Sequence, residues 1–370
     1  METTRIKPPM EELYQEELAA LAANDTGRKP QNWKLSAKAV RTFILGSHIP
    51  LKYNGKEIHI AKKFYGNDAL VERCIITLAG NRGLMLVGEP GTAKTMLSEL
   101  LSAAICGNST NTVQGTAGTT EDAIKYSWNY ALLLAKGPSR EALVPSPLYV
   151  GMEQGILTRL EEITRCPAEI QDSLISILSD KVMSVPELGN QGLLFAKPGF
   201  NVIGTANTRD KGVNEMSSAL KRRFNFETIL PVADVALEKK IIMNEVRKLS
   251  LLDHVDMEMD EDVADLLAIT YHELREGVSA EGHRIDKPSC VMSTAEAVSV
   301  YYQTMMNGYY YGDRSMDVDC LVQNLLGAVA KENRDDLQKV KGYFQTVVKD
   351  RSNKEGGLWK KYYEARRWIQ

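Results

Sequence analysis

Apolar residues fall in two different rhythms along this chain. Gly83-Leu-Met-Leu-Val87 is a short unbroken apolar run bounded by glycines, and comparable runs recur at Gly155–Leu160, Phe200–Thr205 and Thr228–Pro231. Runs of this length suit strands buried on both faces of a parallel sheet. Between them the apolar positions recur at helical spacing. Asp68–Leu78 sets Leu70, Val71, Cys74, Ile75 and Leu78 on one face, and a helix is expected from Lys94 to about Cys106. Strands alternating with helices predict a parallel sheet with crossover helices. After Pro231 the strand pattern stops. Ala236–Leu249, Asp260–Glu276, Ser293–Met306, Val318–Lys331, Arg334–Lys349 and Gly357–Trp368 all read as helices. The polar start of the chain carries Pro8, Pro9 and Pro30 and one short helical pattern, Glu11–Ala23. The expected layout is an N-terminal extension (1–50), an α/β domain (51–231) and an all-helical region (232–370).

Composition narrows the classes. The 370 residues are 44% hydrophobic and 25% charged, enough for a proper core in one large domain or two modest ones. A net charge of −3 gives no global basic field, so nucleic acid is not an expected partner. Cys74, Cys106, Cys166, Cys290 and Cys320 are scattered, with no CxxC pair, and read as reduced core residues. The five histidines form no HxxxH or HExxH site. The charged start METTRIKPPMEELYQEEL lacks the apolar stretch of a signal peptide, and no run is long enough for a transmembrane helix. A cytoplasmic protein is expected.

Candidate chemistry begins where the first strand meets its helix. Gly88-Glu89-Pro90-Gly91-Thr92-Ala93-Lys94-Thr95, with Met96 behind it, stands in the strand–loop–helix context of a phosphate-binding loop. Such a loop presents backbone N–H groups and the positive end of a helix to phosphate oxygens. Lys94 can reach the β- and γ-phosphates, and Thr95 can ligate magnesium. The strict pattern has glycine before the lysine; here it is Ala93, which the sequence reading expects to hold ordinary backbone angles. A chance Gly-rich turn is the competing reading, and the downstream motifs decide.

An ATPase needs one carboxylate to organise magnesium and another to orient water. Glu161 and Glu162 follow the run Gly155–Leu160. Alone, such a pair is an ordinary surface feature; its place after the loop makes it a candidate. Glu161 stands where aspartate is usual, one methylene longer, and Thr158 and Arg159 make the strand less apolar than a central strand should be. Asn207 ends the next apolar run and can hold the lytic water or report the γ-phosphate, although a lone Asn at a strand end is usually a turn residue. Arg222 and Arg223 follow Ala219-Leu-Lys. An arginine fork suits a phosphoryl group on a neighbouring subunit; a solvated basic helix end is the bland alternative.

In this order and spacing the four elements resemble the MoxR branch of AAA+ ATPases, with the YehL-type subgroup as a closer match. GEPGTAKT, LEEITRCPAEIQDSLISILSD and GTANTRDKGVNEMSSALKRRF carry the resemblance, with Thr116–Trp128 similar to a helix-2 insert and Lys181–Gly199 to the hairpin before the sensor strand. It covers about residues 60–232 strongly and the helical remainder loosely. The resemblance implies a P-loop NTPase AAA+ core with a parallel sheet and flanking helices, followed by an all-helical lid. It implies ATP and Mg2+ as cofactors and a homo-oligomeric ring, usually hexameric. Such proteins act as chaperone-like remodelers of protein clients, often beside a partner bearing a von Willebrand factor A domain. By position Lys94 and Thr95 bind phosphate and magnesium, Glu161 joins the metal site and Glu162 activates water. Asn207 is the first sensor and Arg223 the finger, with Arg222 as its rival. Ala295 in Ser293-Thr-Ala-Glu296 stands where a second-sensor arginine is expected and cannot serve, leaving Arg284 or Lys287 as substitutes. Two other functions stay open: a nucleic-acid motor, thinly supported by Lys181 and Lys197 beside Glu187, and a nucleotide-gated scaffold with little hydrolysis. The aromatic set Tyr301, Tyr302, Tyr309, Tyr310, Tyr311, Trp359, Tyr362, Tyr363 and Trp368 is expected to pack the helical region.

Overall fold

The computed structural model describes residues 5–207, 214–329 and 333–369. Two compact units are present: one runs to Gly88 and resumes over Ala93–Ile229, and the other comprises Glu89–Thr92 and the chain from Leu230 onward.

The first unit is built on five parallel strands: β1 (Gly83–Gly88), β2 (Thr112–Gln114), β3 (Leu157–Glu161), β4 (Asn201–Asn207) and β5 (Phe224–Ile229), in the order β5-β1-β4-β3-β2. Successive side chains on a strand face opposite ways. Leu84 and Leu86 of β1 therefore join one apolar cluster, while Met85 joins the other. Helices α3 (Asp68–Ala79) and α4 (Lys94–Cys106) pack on the first face, through Val71, Cys74, Ile75, Leu97 and Leu101. Register aligns the carboxyl ends of the strands: Asn207 lies opposite Gly88, and Gln114 opposite Glu161.

Two strand boundaries and one further strand differ from the expected pattern. The last strand begins at Phe224 rather than Thr228, because it is an edge strand with alternating burial, not a continuous apolar run. Its buried Glu227 is held by Arg73, whose Nε and Nη2 donate to the two carboxylate oxygens at 2.7 Å each. The run at Gly155–Leu160 becomes strand only from Leu157, since Gly155, at φ 71°, caps the helix Pro147–Gln154 in the left-handed region. β2, three residues long, gave no apolar run to read.

The segment expected as an extension is part of this unit's core. Leu21 of α1 (Gln15–Asn24), Trp33, Leu35, and Val40, Phe43 and Ile44 of α2 (Ala37–Leu45) are buried in the same cluster as β1. Lys63, 1% exposed, ties the segment down. Its ammonium donates to Glu17 Oε2 at 2.5 Å and to the carbonyls of Phe43 and Ala61 at 2.9 and 3.0 Å. A buried lysine is tolerated only with such satisfaction.

The second unit is helical: α5 (Val235–Leu252), α6 (Glu261–Glu276), α7 (Thr294–Tyr310), α8 (Val318–Val329), α9 (Asp335–Tyr343), α10 (Lys349–Glu355) and α11 (Gly357–Glu364). The expected end of α8 at Lys331 lies outside the described residues. α9 and α10 are joined by a π-helical turn, Phe344–Val348, so the helix expected over Arg334–Lys349 continues to Glu355. Tyr301 and Tyr362 are fully buried and Tyr302, Tyr309, Trp359 and Tyr363 pack against the core, while Tyr310, Tyr311 and Trp368 are exposed. Arg351 is buried against Glu273, donating from Nη2 to Oε1 at 2.5 Å and from Nη1 to Oε2 at 3.1 Å. No helix among the described residues is long and apolar enough to cross a membrane.

Candidate functional site

The loop after β1 puts its lysine on the first residue of α4. The N-cap is Ala93, at φ 65° and ψ 24°. That is the left-handed region, and it overturns the expectation of ordinary backbone angles. Alternation of right- and left-handed residues is one way for successive N–H groups to line an anion-binding concavity. An alanine accepts the left-handed conformation at a cost of about 1–2 kcal/mol, which glycine avoids. Gly91, at φ +74°, supplies a second left-handed residue. The Thr92 hydroxyl donates to the Glu89 carbonyl at 2.8 Å, and buried Lys94 donates from Nζ to the Gly88 carbonyl at 3.2 Å. The free N–H groups and dipole of the 13-residue α4 stand behind the loop. Thr95 is exposed and Met96 half-buried at its first turn.

Glu161, at the end of β3, reaches this helix. Its Oε2 accepts from the Thr95 hydroxyl at 3.0 Å and from the Thr205 hydroxyl of β4 at 2.7 Å. Its Oε1 accepts from Ser98 Oγ at 2.9 Å and from Arg159 Nη2 at 2.7 Å. Burial alone would push the Glu161 carboxyl up. The Arg159 guanidinium, with the Thr205 and Ser98 hydroxyls, outweighs burial and holds it below the ordinary carboxylate value. The extra methylene therefore leaves the carboxylate within reach of Thr95.

Glu162 also sits in the left-handed region, at φ 53° and ψ 43°. The turn aims its side chain at β4, where Asn207 Nδ2 donates to Oε1 at 2.9 Å, while the Glu162 N–H donates to Thr205 Oγ1 at 3.0 Å. Gly115, just past β2, lies against this turn. A Cβ there would stand 2.4 Å from the Glu162 carbonyl oxygen, so only glycine fits. Thr95, Glu161, Glu162 and Asn207 thus form one constellation at the carboxyl ends of adjacent strands.

The arginines separate. Arg223 is half-buried and committed within the unit, donating from Nε to Ser179 Oγ at 2.9 Å and from Nη1 to the Ala219 carbonyl at 2.8 Å. Arg222 is exposed, and its side chain has no hydrogen-bond or ion-pair partner among the described residues. Residues 208–213 of the sensor stretch lie outside the described residues. In the second unit, Ser293 and Glu296 form the capping box of α7, and Arg284 and Lys287 are exposed.

The donor set at Thr95 fits Mg2+. It is all oxygen, and the Thr95 hydroxyl donates a hydrogen bond to Glu161 while its lone pairs stay available. Among the described residues no cluster of three His, Cys, Asp or Glu side chains could hold a metal. Mg2+ does not need one, since it commonly binds through one or two protein oxygens, phosphates and water.

Arg159, Ser98, Thr205 and Gly115 were missed in the sequence. The signals were present in spacing: Arg159 two residues before Glu161 and Thr205 two before Asn207 share their strand faces, and Ser98 lies one helical turn after Thr95.

Comparison with known proteins identifies the family. Residues 83–224 match the AAA domain (dynein-related subfamily), and residues 236–370 match the YehL-like AAA+ ATPase C-terminal domain. Protein YehL of Escherichia coli is 46% identical over 364 residues, 97% of this chain and 96% of that protein. Chaperone MoxR1 of Mycobacterium tuberculosis is 26% identical over 179 residues, 48% of this chain and 44% of that protein. Among solved structures, NtrX from Brucella abortus in complex with ADP aligns with a TM-score of 0.48 at 12% identity, over 83% of this chain and 66% of that one.

Proposed function

The chain belongs to the family of YehL-like AAA+ ATPases, and from that premise we propose that it uses ATP to remodel protein partners as a homo-oligomeric, hexameric ring. The observation that carries the site assignment is the pair of hydrogen bonds Thr95–Glu161 and Glu162–Asn207 beside the phosphate loop. Lys94 and the N-terminus of α4 hold the phosphates. Thr95, backed by Glu161, faces Mg2+, which when bound neutralises charge on the β- and γ-phosphates. Glu162 accepts a proton from the attacking water, and Asn207 holds Glu162 in place and senses the γ-phosphate. Arg222, exposed, is the better candidate to reach a neighbouring subunit's nucleotide, and Arg223 braces the turn that presents it.

A protein client suits the hairpin formed by Val182–Ser184 and Leu193–Phe195. Leu193 and Phe195 are 53% and 64% exposed, an apolar pair better matched to polypeptide than to phosphate. Lys181, which a nucleic-acid motor would want on the surface, is largely buried, and burial lowers its affinity for a proton. A von Willebrand factor A domain protein is the first partner to try. A cytoplasmic location belongs to the same reading; among the described residues no disulfide links the cysteines.

The test is Mg2+-dependent ATP turnover by the wild type and by Glu162→Gln. The variant is expected to bind ATP and to lose turnover by at least about a hundredfold, the usual weight of a general base. Equal turnover by the two proteins would remove Glu162 from the chemistry. Binding without turnover by either would replace the remodeler with a nucleotide-gated scaffold.

A further inference from the structure

β3 lies between β4 and β2, and all five of its residues are buried. A charged residue in such a strand needs partners, and Arg159, 3% exposed, has one at each nitrogen. Its Nε donates to Ser98 Oγ at 2.9 Å, its Nη1 to the Ser109 carbonyl at 2.5 Å and its Nη2 to Glu161 Oε1 at 2.7 Å. A second carboxylate, Glu99, stands 3.7 Å from Nη2. A buried ion pair is poor value for stability, because well-packed apolar residues do as well or better. Its location is more telling: Arg159 grips the Glu161 oxygen that does not bond Thr95, and Ser98, one turn along α4 from Thr95.

We propose that Arg159 is a positioning residue of the nucleotide–metal site, clamping Glu161 Oε1 so that Oε2 is presented to the Thr95 hydroxyl. Glutamate has one more rotatable bond than aspartate, and a free Glu161 would sample rotamers that miss Thr95. The guanidinium fork and Ser98 fix one oxygen, and Thr205 helps fix the other. With its hydroxyl hydrogen-bonded to Glu161, the Thr95 oxygen would keep its lone pairs available to the metal. Partners that orient a metal's direct ligands in this way are commonly worth 10- to 100-fold in metal affinity.

The inference rests on the assignment of Thr95 and Glu161 to the metal side of the site, and the experiment separates the two. A fluorescent ADP analogue is titrated onto the full-length protein across a Mg2+ series and in EDTA, for the wild type, Glu161→Gln, Arg159→Gln and Arg159→Lys. Circular dichroism and thermal melting check the fold. Arg159→Gln is expected to raise the half-saturating Mg2+ about tenfold while leaving Mg2+-free affinity within about twofold of wild type. Arg159→Lys keeps the charge but not the fork and is expected to fall between them. A folded Arg159→Gln or Arg159→Lys with wild-type Mg2+ dependence, beside a Glu161→Gln that has lost it, overturns the inference and leaves Arg159 a core ion pair. Wild-type Mg2+ dependence in Glu161→Gln overturns the site assignment instead. If Arg159→Gln does not fold, Arg159→Lys decides alone.

Discussion

Replacing Ala93 by glycine and by valine asks the phosphate loop two opposite questions. The native residue sits at φ 65°, so its Cβ pays the left-handed penalty of about 1–2 kcal/mol. Glycine removes that strain, but frees the unfolded chain by about 0.4–1 kcal/mol. It also gives up a half-buried methyl that packs against the core, worth a few tenths of a kcal/mol out of about 0.8 for full burial. The terms nearly cancel. Ala93→Gly should melt within about 2 °C of wild type and bind nucleotide within about threefold. Valine keeps the methyl and adds branching at Cβ, for which positive φ is a true outlier. The loop must then either hold a conformation costing about 2–3 kcal/mol or relax to negative φ and withdraw an N–H from the phosphate. A held turn lowers stability; a relaxed one must be restored by the nucleotide, which at 1.4 kcal/mol per tenfold is about 30- to 100-fold in affinity. Titration with a fluorescent ADP analogue, paired with differential scanning calorimetry, measures both quantities. Wild-type affinity together with wild-type melting in Ala93→Val would refute the account of a strained turn. A collapse of affinity in Ala93→Gly would show that the methyl, not the backbone, matters there.

Two further outcomes follow from named contacts. Arg222→Ala should lower turnover about a thousandfold with nucleotide affinity unchanged, whereas Arg223→Ala, losing its bonds to Ser179 and Ala219, should chiefly destabilise, by about 1 kcal/mol. Mixing Arg222→Ala with Glu162→Gln should restore part of the activity, because an intact arginine then meets an intact site; no recovery in mixtures would refute action across an interface. In the second unit, burial would raise the Asp336 carboxyl from its ordinary 3.8, but the Ser289 hydroxyl and N–H, Lys339 and the Cys290 N–H pull it down to about 2. A lowered folded value stabilises fully above about pH 4 and is lost as pH falls through about 2, so Asp336→Asn should cost on the order of 2 kcal/mol at pH 7 and progressively less toward pH 2. An equal deficit at both pH values in chemical unfolding would sink that account.

The fold was legible where burial is two-sided. β1 and β4 are continuous apolar runs because both their faces are covered, and the runs could be read directly. β5 was misplaced because one of its buried positions is Glu227, a carboxylate made tolerable only by Arg73 from 154 residues away in sequence. The first 50 residues misled for a related reason. Their polar composition hides Trp33, Val40 and Phe43, and the satisfaction of Lys63 depends on Glu17, a distant residue that composition cannot connect to it. Local patterns carry helices and central strands; what escapes them is polar burial, whose compensation lies elsewhere in the chain.

The same distinction explains the site. Order along the sequence was enough to nominate Lys94, Thr95, Glu162 and Asn207 as candidates, since each stands at a strand end or helix start that the apolar pattern fixes. Two of the departures from the motif pattern, Ala93 and Glu161, are met by different means. Ala93 is met by backbone strain, which no residue type announces. Glu161 is met by side chains, and there the sequence did hold a clue. Thr158 and Arg159 looked like blemishes in a central strand while the strand was judged by hydropathy alone. Thr158 accepts from Asn111 Nδ2 at 3.1 Å, and Arg159 satisfies Glu161 two residues on. The polar interruption and the unusual glutamate therefore form one feature. A strand carrying the longer acid needs a clamp on the same face, and a residue two positions away is the nearest place the backbone can provide one.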